Sequence, residues 1–225
     1  MNEQNTIIMF CKYPVEGNVK TRIAKTIGNE FAVNLYKILA EHIFQELLKT
    51  ENVFPYLFYD NNLNRDKIKK WAGAEFSFEL QEGNDLGEKM YHAFKKVIDR
   101  GSAKTIIVGT DIPDISSEVI QKAIGALNNS DVVIGPANDG GYYLLGMKKL
   151  YRSFFTGIEW SKHTVLKKTL EKINSLNLSY SMLPELIDID SEEDLKNWFA
   201  NYSENANSSL KNEIKTIYTN RLQFK

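Results

Sequence analysis

Several polar clusters in this chain follow directly on apolar runs, and their residue types suit phosphate, a metal ion and a hydroxylated ligand. The first comprises Lys12, Lys20, Thr21 and Arg22 around Gly17. Lysine supplies a point charge, arginine a bidentate fork, and the threonine hydroxyl and backbone N–H groups donate hydrogen bonds, which together suit a pyrophosphate. It is not a Walker A loop, since the Gly-Lys-Thr ending and the upstream glycine are missing. A solvated basic loop has the same composition. The second cluster is Asp111, after the apolar run Thr105 to Val108 and a Gly-Thr pair. A carboxylate there emerges at the end of a strand, and hard cations such as Mg²⁺ and Mn²⁺ prefer such oxygens. Asp114, three residues on, reads better as a turn or helix-capping residue. Asp188 and Asp190 form the third cluster. They serve either one shared site or the start of the helix that follows, with Asp190 able to do both.

The fourth is Asp139-Gly140-Gly141-Tyr142-Tyr143, between the apolar runs Val132 to Ile134 and Leu144 to Met147. Two glycines let the backbone turn and approach a ligand, Asp139 supplies charge, and the tyrosines supply flat amphipathic surface for a sugar or base. The same stretch also reads as a polar hairpin turn with its tyrosines in the core. Trp160 and Ser161 are further candidates to line a pocket, although tryptophan is more often partly buried core. His42, His92 and His163 are scattered and read as structural or surface residues.

Elements that position these clusters can be read from periodicity. The runs at Thr6 to Phe10, Val53 to Tyr59, Phe76 to Leu80, Thr105 to Val108, Asp131 to Ile134 and Tyr180 to Leu183 read as strands, with Pro55 placing its strand at an edge or a bulge. Helical spacing predicts a long amphipathic helix from Asn29 to Leu48. It predicts others at Arg65 to Ala72, Asp85 to Arg100, after Ser116, Ser161 to Ile173 and Ser191 to Tyr202. Apolar strands alternating with amphipathic helices imply an α/β/α sandwich with a mostly parallel sheet. In such folds ligands bind beyond the carboxyl ends of the strands, where every cluster above falls.

The chain has 225 residues, 43% of them apolar, enough for one domain with an ample core. A formal net charge of −1 gives no basic face for nucleic acid, and the single Cys11 excludes an internal disulfide framework. No segment reads as a signal peptide or a membrane span, so a cytoplasmic protein is the expectation. The expected division is a domain over 1–202 and a polar extension over 203–225, helical in part if Leu210, Ile214 and Ile217 find a surface. A homodimer is left open.

Taken in order, the motifs resemble a known set. They are Lys12-x-Pro14-x-x-Gly17-x-Val19-Lys20-Thr21-Arg22, Asp85-Leu86-Gly87-Glu88-Lys89-Met90, Gly109-Thr110-Asp111-Ile112-Pro113, Gly135-Pro136-Ala137-x-Asp139-Gly140-Gly141-Tyr142-Tyr143-Leu144-x-Gly146, Trp160-Ser161 and Asp188-Ile189-Asp190. The pattern is similar to small bacterial GT-A-like nucleotide-diphospho-sugar transferases. Some of these are tied to arsenosugar biosynthesis or to radical-SAM and selenium-associated gene sets. They are related in turn to phospholactate and molybdenum-cofactor guanylyltransferases. The resemblance spans about residues 6–200 and implies a Rossmann-like nucleotide-binding sandwich with a divalent metal.

On that resemblance Lys12, Lys20 and Arg22 hold phosphates, Asp111 is the metal carboxylate, and Asp190, or else Asp188, is the second ligand. Asp139, Gly140, Gly141 and Tyr142 face the sugar or acceptor. Two departures stand out. Asp111-Ile112-Pro113 lacks the second aspartate of an Asp-x-Asp motif, so a distant carboxylate must be recruited. Pro14 and Gly17 also replace the Gly-x-Gly-Thr-Arg loop of many nucleotidyltransferases.

The first expectation is glycosyl transfer from a nucleotide sugar to a small-molecule acceptor. Asp139 is then the best carboxylate for the acceptor hydroxyl, with Glu159 and Asp114 open. The alternative is nucleotidyl transfer from an NTP to a phosphorylated small molecule with release of pyrophosphate. A nucleotide-binding domain without turnover ranks third.

Overall fold

Strand β1 (Gln4–Cys11) sends Ile7, Met9 and Cys11 into one buried layer and Ile8 into the other, as expected of a strand with no polar face. The same division recurs in β4 (Ser102–Val108), with Ile106 and Val108 opposite Ile107, and in β5 (Val132–Pro136), with Val133 opposite Val132 and Ile134. These strands are interior to a seven-stranded sheet in this computed structural model, which describes residues 4–201 and 208–222. With β2 (Val53–Tyr59), β3 (Ser77–Leu80), β6 (Tyr142–Met147) and β7 (Tyr180–Met182), the order is β3-β2-β1-β4-β6-β5-β7. Pairing is parallel throughout except along β6, which runs antiparallel to both β4 and β5. All the other strands therefore point their carboxyl ends to one edge.

β2 corrects one expectation. It is not an edge strand, for it pairs along its whole length with β1. Pro55 stands opposite Ile7, and β3 pairs only from Tyr56 onward, so one flank of β2 is uncovered at the proline. That flank is the local equivalent of an edge, where a missing N–H is tolerated.

Helix α2 (Asn29–Lys49) is buried on two sides. Val33, Tyr36, Ala40, Ile43, Phe44 and Leu47 face the sheet. Phe31, Leu35, Ile38 and Leu39 meet α1 (Thr21–Ile27), α7 (Glu192–Asn201) and α8 (Ser208–Leu222). The stretches at 203–207 and 223–225 of the expected extension lie outside the described residues. Its described part is α8, whose Leu210 and Ile214 are buried in this cluster. The α3 (Arg65–Ala72) and α5 (Ser117–Ala126) helices complete this layer, and α4 (Leu86–Asp99) and α6 (Val165–Ser175) cover the opposite face.

α6 begins four residues later than its periodicity suggests. Ser161 has φ +61°, a left-handed conformation that cannot begin a right-handed helix, so 161–163 form the preceding turn.

Candidate functional site

β4 ends at Val108, and Gly109-Thr110 carry the chain over the edge to Asp111, whose side chain is 36% exposed. The opposing wall comes from far along the chain. After β7 the backbone continues beside β5: the Leu183 N–H bonds the Ile134 carbonyl at 2.8 Å and the Leu186 N–H bonds the Pro136 carbonyl at 3.1 Å. Asn138 then accepts the Asp188 N–H on its side-chain oxygen at 2.8 Å, and the Ile189 N–H donates to the Asp111 carbonyl at 3.1 Å. These bonds carry Asp188 and Asp190 across to Asp111. One oxygen from each of the three carboxylates lies within 4.8 Å of the others.

Lys20 enters this cluster from the β1–α1 loop. Its backbone is left-handed (φ 46°, ψ 44°) at the residue preceding α1, and its side chain is 2% exposed. The ammonium lies 2.6 Å from Asp111 Oδ1, 2.6 Å from the Ile189 carbonyl, 3.4 Å from Asp190 Oδ1 and 3.9 Å from Asp188 Oδ1. Burial pulls the lysine's pKa down, but Asp111, Asp188 and Asp190 outweigh it and hold it above the ordinary lysine range. Arg22, 64% exposed, meets Asp190 Oδ2 from the solvent side at 3.1 Å. Burial first, then the Asp111 carboxylate, push Asp188 above the usual carboxylate range against the pull of Lys20. Asp188 Oδ1 is buried and has no hydrogen-bond partner. An orphaned buried oxygen beside two further carboxylates is a donor set suited to a hard divalent cation, so the residues fit the metal expected here.

The other sequence candidates are more scattered. Lys12 and Thr21 have exposed side chains along the loop and the start of α1, and Gly17 sits at a turn with φ +78°. The Lys12 backbone is anchored by the buried Tyr36 hydroxyl, which accepts its N–H at 2.8 Å. Asp139 is exposed and accepts the Gly141 N–H at 2.8 Å, closing the β5–β6 turn. Gly140 is required by packing and conformation alike: its φ is +85°, and a Cβ there would lie 2.2 Å from the His163 carbonyl oxygen.

Tyr142 is half-buried between α4 and α6, with its hydroxyl 4.0 Å from Met90 Sδ and also bonded to Thr169. Tyr143 is buried and donates to the Pro184 carbonyl at 3.2 Å. The stretch forms the turn of the β5–β6 hairpin, with Tyr143 in the core.

Trp160 is half-buried over the first turn of α4, and a Cβ on Gly87 would lie 2.4 Å from its Nε1. Asp85 caps α4 by accepting the Glu88 N–H at 2.8 Å, while Glu88 accepts the N–H of the preceding Asn84 at 2.8 Å. The Asp85-Leu86-Gly87-Glu88 motif thus builds a helix start and its tryptophan contact. Ser161 is exposed in the turn beyond.

Sequence reading missed Tyr36, Asn138 and the Ile189 carbonyl. It also missed the bond from Trp198 Nε1 to Asp114 Oδ2 at 2.9 Å, which ties α7 to the Asp111 loop. A backbone carbonyl leaves no mark in residue types, and Tyr36 is masked by the apolar stripe of α2.

Residues 43–162, which include Asp111 and the whole hairpin, match a family model described as "Uncharacterized protein conserved in bacteria (DUF2064)". The chain belongs to the DUF2064 family. A solved relative from Desulfovibrio desulfuricans G20, described as a "putative nucleotide-diphospho-sugar transferase", is 35% identical with a TM-score of 0.90, over 100% of this chain and 99% of that one. A 2-phospho-L-lactate guanylyltransferase of Methanocaldococcus jannaschii is 25% identical over 219 residues, 92% of this chain and 90% of that protein. The inositol-1-phosphate CTP transferase of T. maritima, 13% identical with a TM-score of 0.57 over 96% and 97% of the two chains, shares the fold. The α/β fold with a mostly parallel sheet is therefore that of nucleotidyltransferase and GT-A-like proteins. Among the described residues no helix is long and apolar enough to cross a membrane.

Proposed function

We propose that this DUF2064 member is a divalent-metal-dependent transferase that takes a nucleotide-diphospho-sugar and passes its glycosyl group to a small-molecule acceptor. The observation that carries this reading is the convergence of Asp111, Asp188 and Asp190 at the carboxyl edge of the sheet, beside Lys20 and Arg22. The solved relative from Desulfovibrio desulfuricans supports the nucleotide-sugar class. The three aspartates would hold Mg²⁺ or Mn²⁺, and the bound ion would supply positive charge to the departing diphosphate.

Other steps belong to the chain's own residues. Arg22 stands on the open side of the cluster, where its fork reaches a phosphate while Asp190 orients it. Lys12 and Thr21, exposed on the same loop, extend the phosphate surface. In the transfer the anomeric carbon–oxygen bond to the diphosphate breaks, and a bond from that carbon to the acceptor oxygen forms. The acceptor's proton passes to a base, the nucleoside diphosphate leaving with the bond's electron pair. Asp139 is the base or sugar-orienting group we assign, since it is exposed on the hairpin turn and close enough to Asp188 to raise it electrostatically. Trp160 and Ser161, with Gly140 and Gly141, form the acceptor side of this reading.

A second reading has its own support. The guanylyltransferase relatives and the shared fold favour nucleotidyl transfer, in which a phosphorylated substrate attacks the α-phosphate of an NTP and pyrophosphate leaves. The same carboxylates and cations suit that chemistry. Calorimetric and thermal-shift titrations with UDP, GDP, UDP-glucose, GDP-mannose, GTP and CTP separate the two, each with Mg²⁺, Mn²⁺ or chelator and beside Asp111→Asn. Metal-dependent stabilisation by a diphosphate sugar, lost in Asp111→Asn, supports glycosyl transfer. Much tighter binding of an NTP transfers the assignment to the second reading. Absence of binding by all of them at millimolar concentration overturns both.

A further inference from the structure

We propose that Lys20 is the resident counter-ion of the acidic centre. In the nucleotide-free protein its ammonium holds Asp111, Asp188 and Asp190 together, and it yields its place when a divalent cation arrives with a nucleotide phosphate. This rests on the metal-dependent reading above and adds to it an order of events: metal and nucleotide bind together, at the expense of an internal ion pair.

The geometry points this way for reasons independent of any ligand. Most of the loop around Lys20 faces solvent, with Lys12, Val15, Glu16, Gly17 and Asn18 all exposed, yet the Lys20 side chain is turned inward and buried. It leaves a backbone in the left-handed region, uncommon for a residue with a side chain, and no side chain caps the helix at that point. Its ammonium reaches the Asp111 loop and the Ile189 carbonyl at once, joining the two segments that carry the carboxylates. Three carboxylates this close repel one another unless a cation sits among them, and the lysine ammonium offsets that repulsion.

The lysine nevertheless leaves the cluster incomplete. An ammonium has three protons, and Ile189, Asp111 and Asp190 take them. Asp188 Oδ1, 3.9 Å away, is left buried and unpartnered. A divalent cation accepts six or more oxygen ligands and can serve all three aspartates together. Once it does, the repulsion between two cations on one carboxylate favours a new partner for Lys20, and a nucleotide phosphate at the mouth of the loop is such a partner. Two ligands that each favour the exchanged state bind cooperatively.

The test is Mn²⁺ binding to nucleotide-free protein, followed by electron paramagnetic resonance, for the natural sequence, Lys20→Gln and Lys20→Met. Glutamine keeps a polar N–H donor without the charge, and methionine keeps most of the unbranched apolar stem. With the competing charge removed, a folded variant is expected to bind Mn²⁺ at least about tenfold more tightly. Equal or weaker binding by a folded variant overturns the proposal.

A second measurement needs no variant. The buried Lys20 ammonium should give a slowly exchanging ¹⁵Nζ signal by NMR, and saturating Mg²⁺, alone or with UDP or GDP, should shift it or abolish its protection. A signal unchanged at saturating Mg²⁺, both alone and with UDP or GDP, overturns the proposal even if both variants fail to fold. If no nucleotide binds the natural protein while the variants gain Mn²⁺ affinity, the transferase reading falls and the counter-ion role stands.

Discussion

Lys20 and Lys96 each bridge more than one carboxylate, and the two clusters differ in almost everything else. Lys96 reaches Glu79 at 3.2 Å and Glu82 at 3.0 Å, and Arg100 meets Glu79 at 2.7 Å. Two acids there face two bases at the rim of the sheet, and the lysine is 28% exposed. Around Lys20, three aspartates face Lys20 and Arg22, and the lysine is 2% exposed. The surface group is balanced and screened by water, so its pairs contribute little individually. The central group carries surplus negative charge and an orphaned oxygen in a region water cannot fully solvate, and a structure that keeps such an arrangement is prepared for an incoming cation. Similar residue types therefore give an ordinary surface network in one place and a candidate active site in the other.

The strongest way to break this contrast is at Asp111. Asp111→Asn keeps the size of the side chain and removes a metal carboxylate, so turnover with whichever nucleotide proves to be the substrate should fall on the order of 100-fold or more. Metal-dependent thermal stabilisation should vanish with it. Retained activity would mean that the surplus charge has another purpose.

Next come two substitutions in the frame that holds the centre. In Gly140→Ala the left-handed φ persists while the new Cβ meets the His163 carbonyl, so unfolding in urea should show a loss of about 1–3 kcal/mol. Trp198→Phe keeps most of the buried ring but removes the indole donor from Asp114, and a loss of about 1–3 kcal/mol is expected by the same measurement.

The smallest effect belongs to the surface cluster. Burial raises the Glu79 pKa, but the Arg100 and Lys96 partners outweigh it and hold the carboxyl below the usual glutamate range. A lowered folded pKa means stability that is present above the unfolded value and is lost as pH falls through the folded one. Glu79→Gln should therefore flatten the acid limb of a Tm-against-pH curve only slightly, by less than about 1 kcal/mol at neutral pH after allowance for solvent screening. A larger loss would erase the distinction between the two clusters.

Much of the frame was legible because the signals are local. Val53–Tyr59 and Arg65–Ala72 form with the bounds their periodicity predicts, and Asn29–Lys49 extends its prediction by one residue. Asp111 was legible for the same reason: a buried run followed by Gly-Thr-Asp brings a carboxylate over a sheet edge wherever such a strand is central. Tyr142 was not. Two tyrosines after two glycines carry the same letters whichever elements their rings meet, and the antiparallel course of β6 between β4 and β5 decided that. Pro55 was read by a sound rule whose application depended on where β3 begins, which nothing within β2 reveals.

By itself the sequence determined the layered α/β architecture, the edge at which the polar motifs collect, and the residue types available there, because burial and helical or strand periodicity act over a few neighbours at a time. Only the tertiary structure decided that Lys20 faces inward, that Asp188 and Asp190 cross from β7 to meet Asp111, and that Asp188 keeps a buried oxygen without a partner. Those facts depend on contacts between segments distant in the chain, up to 170 residues apart, where the sign and distance of charges are set by how the sheet brings loops together.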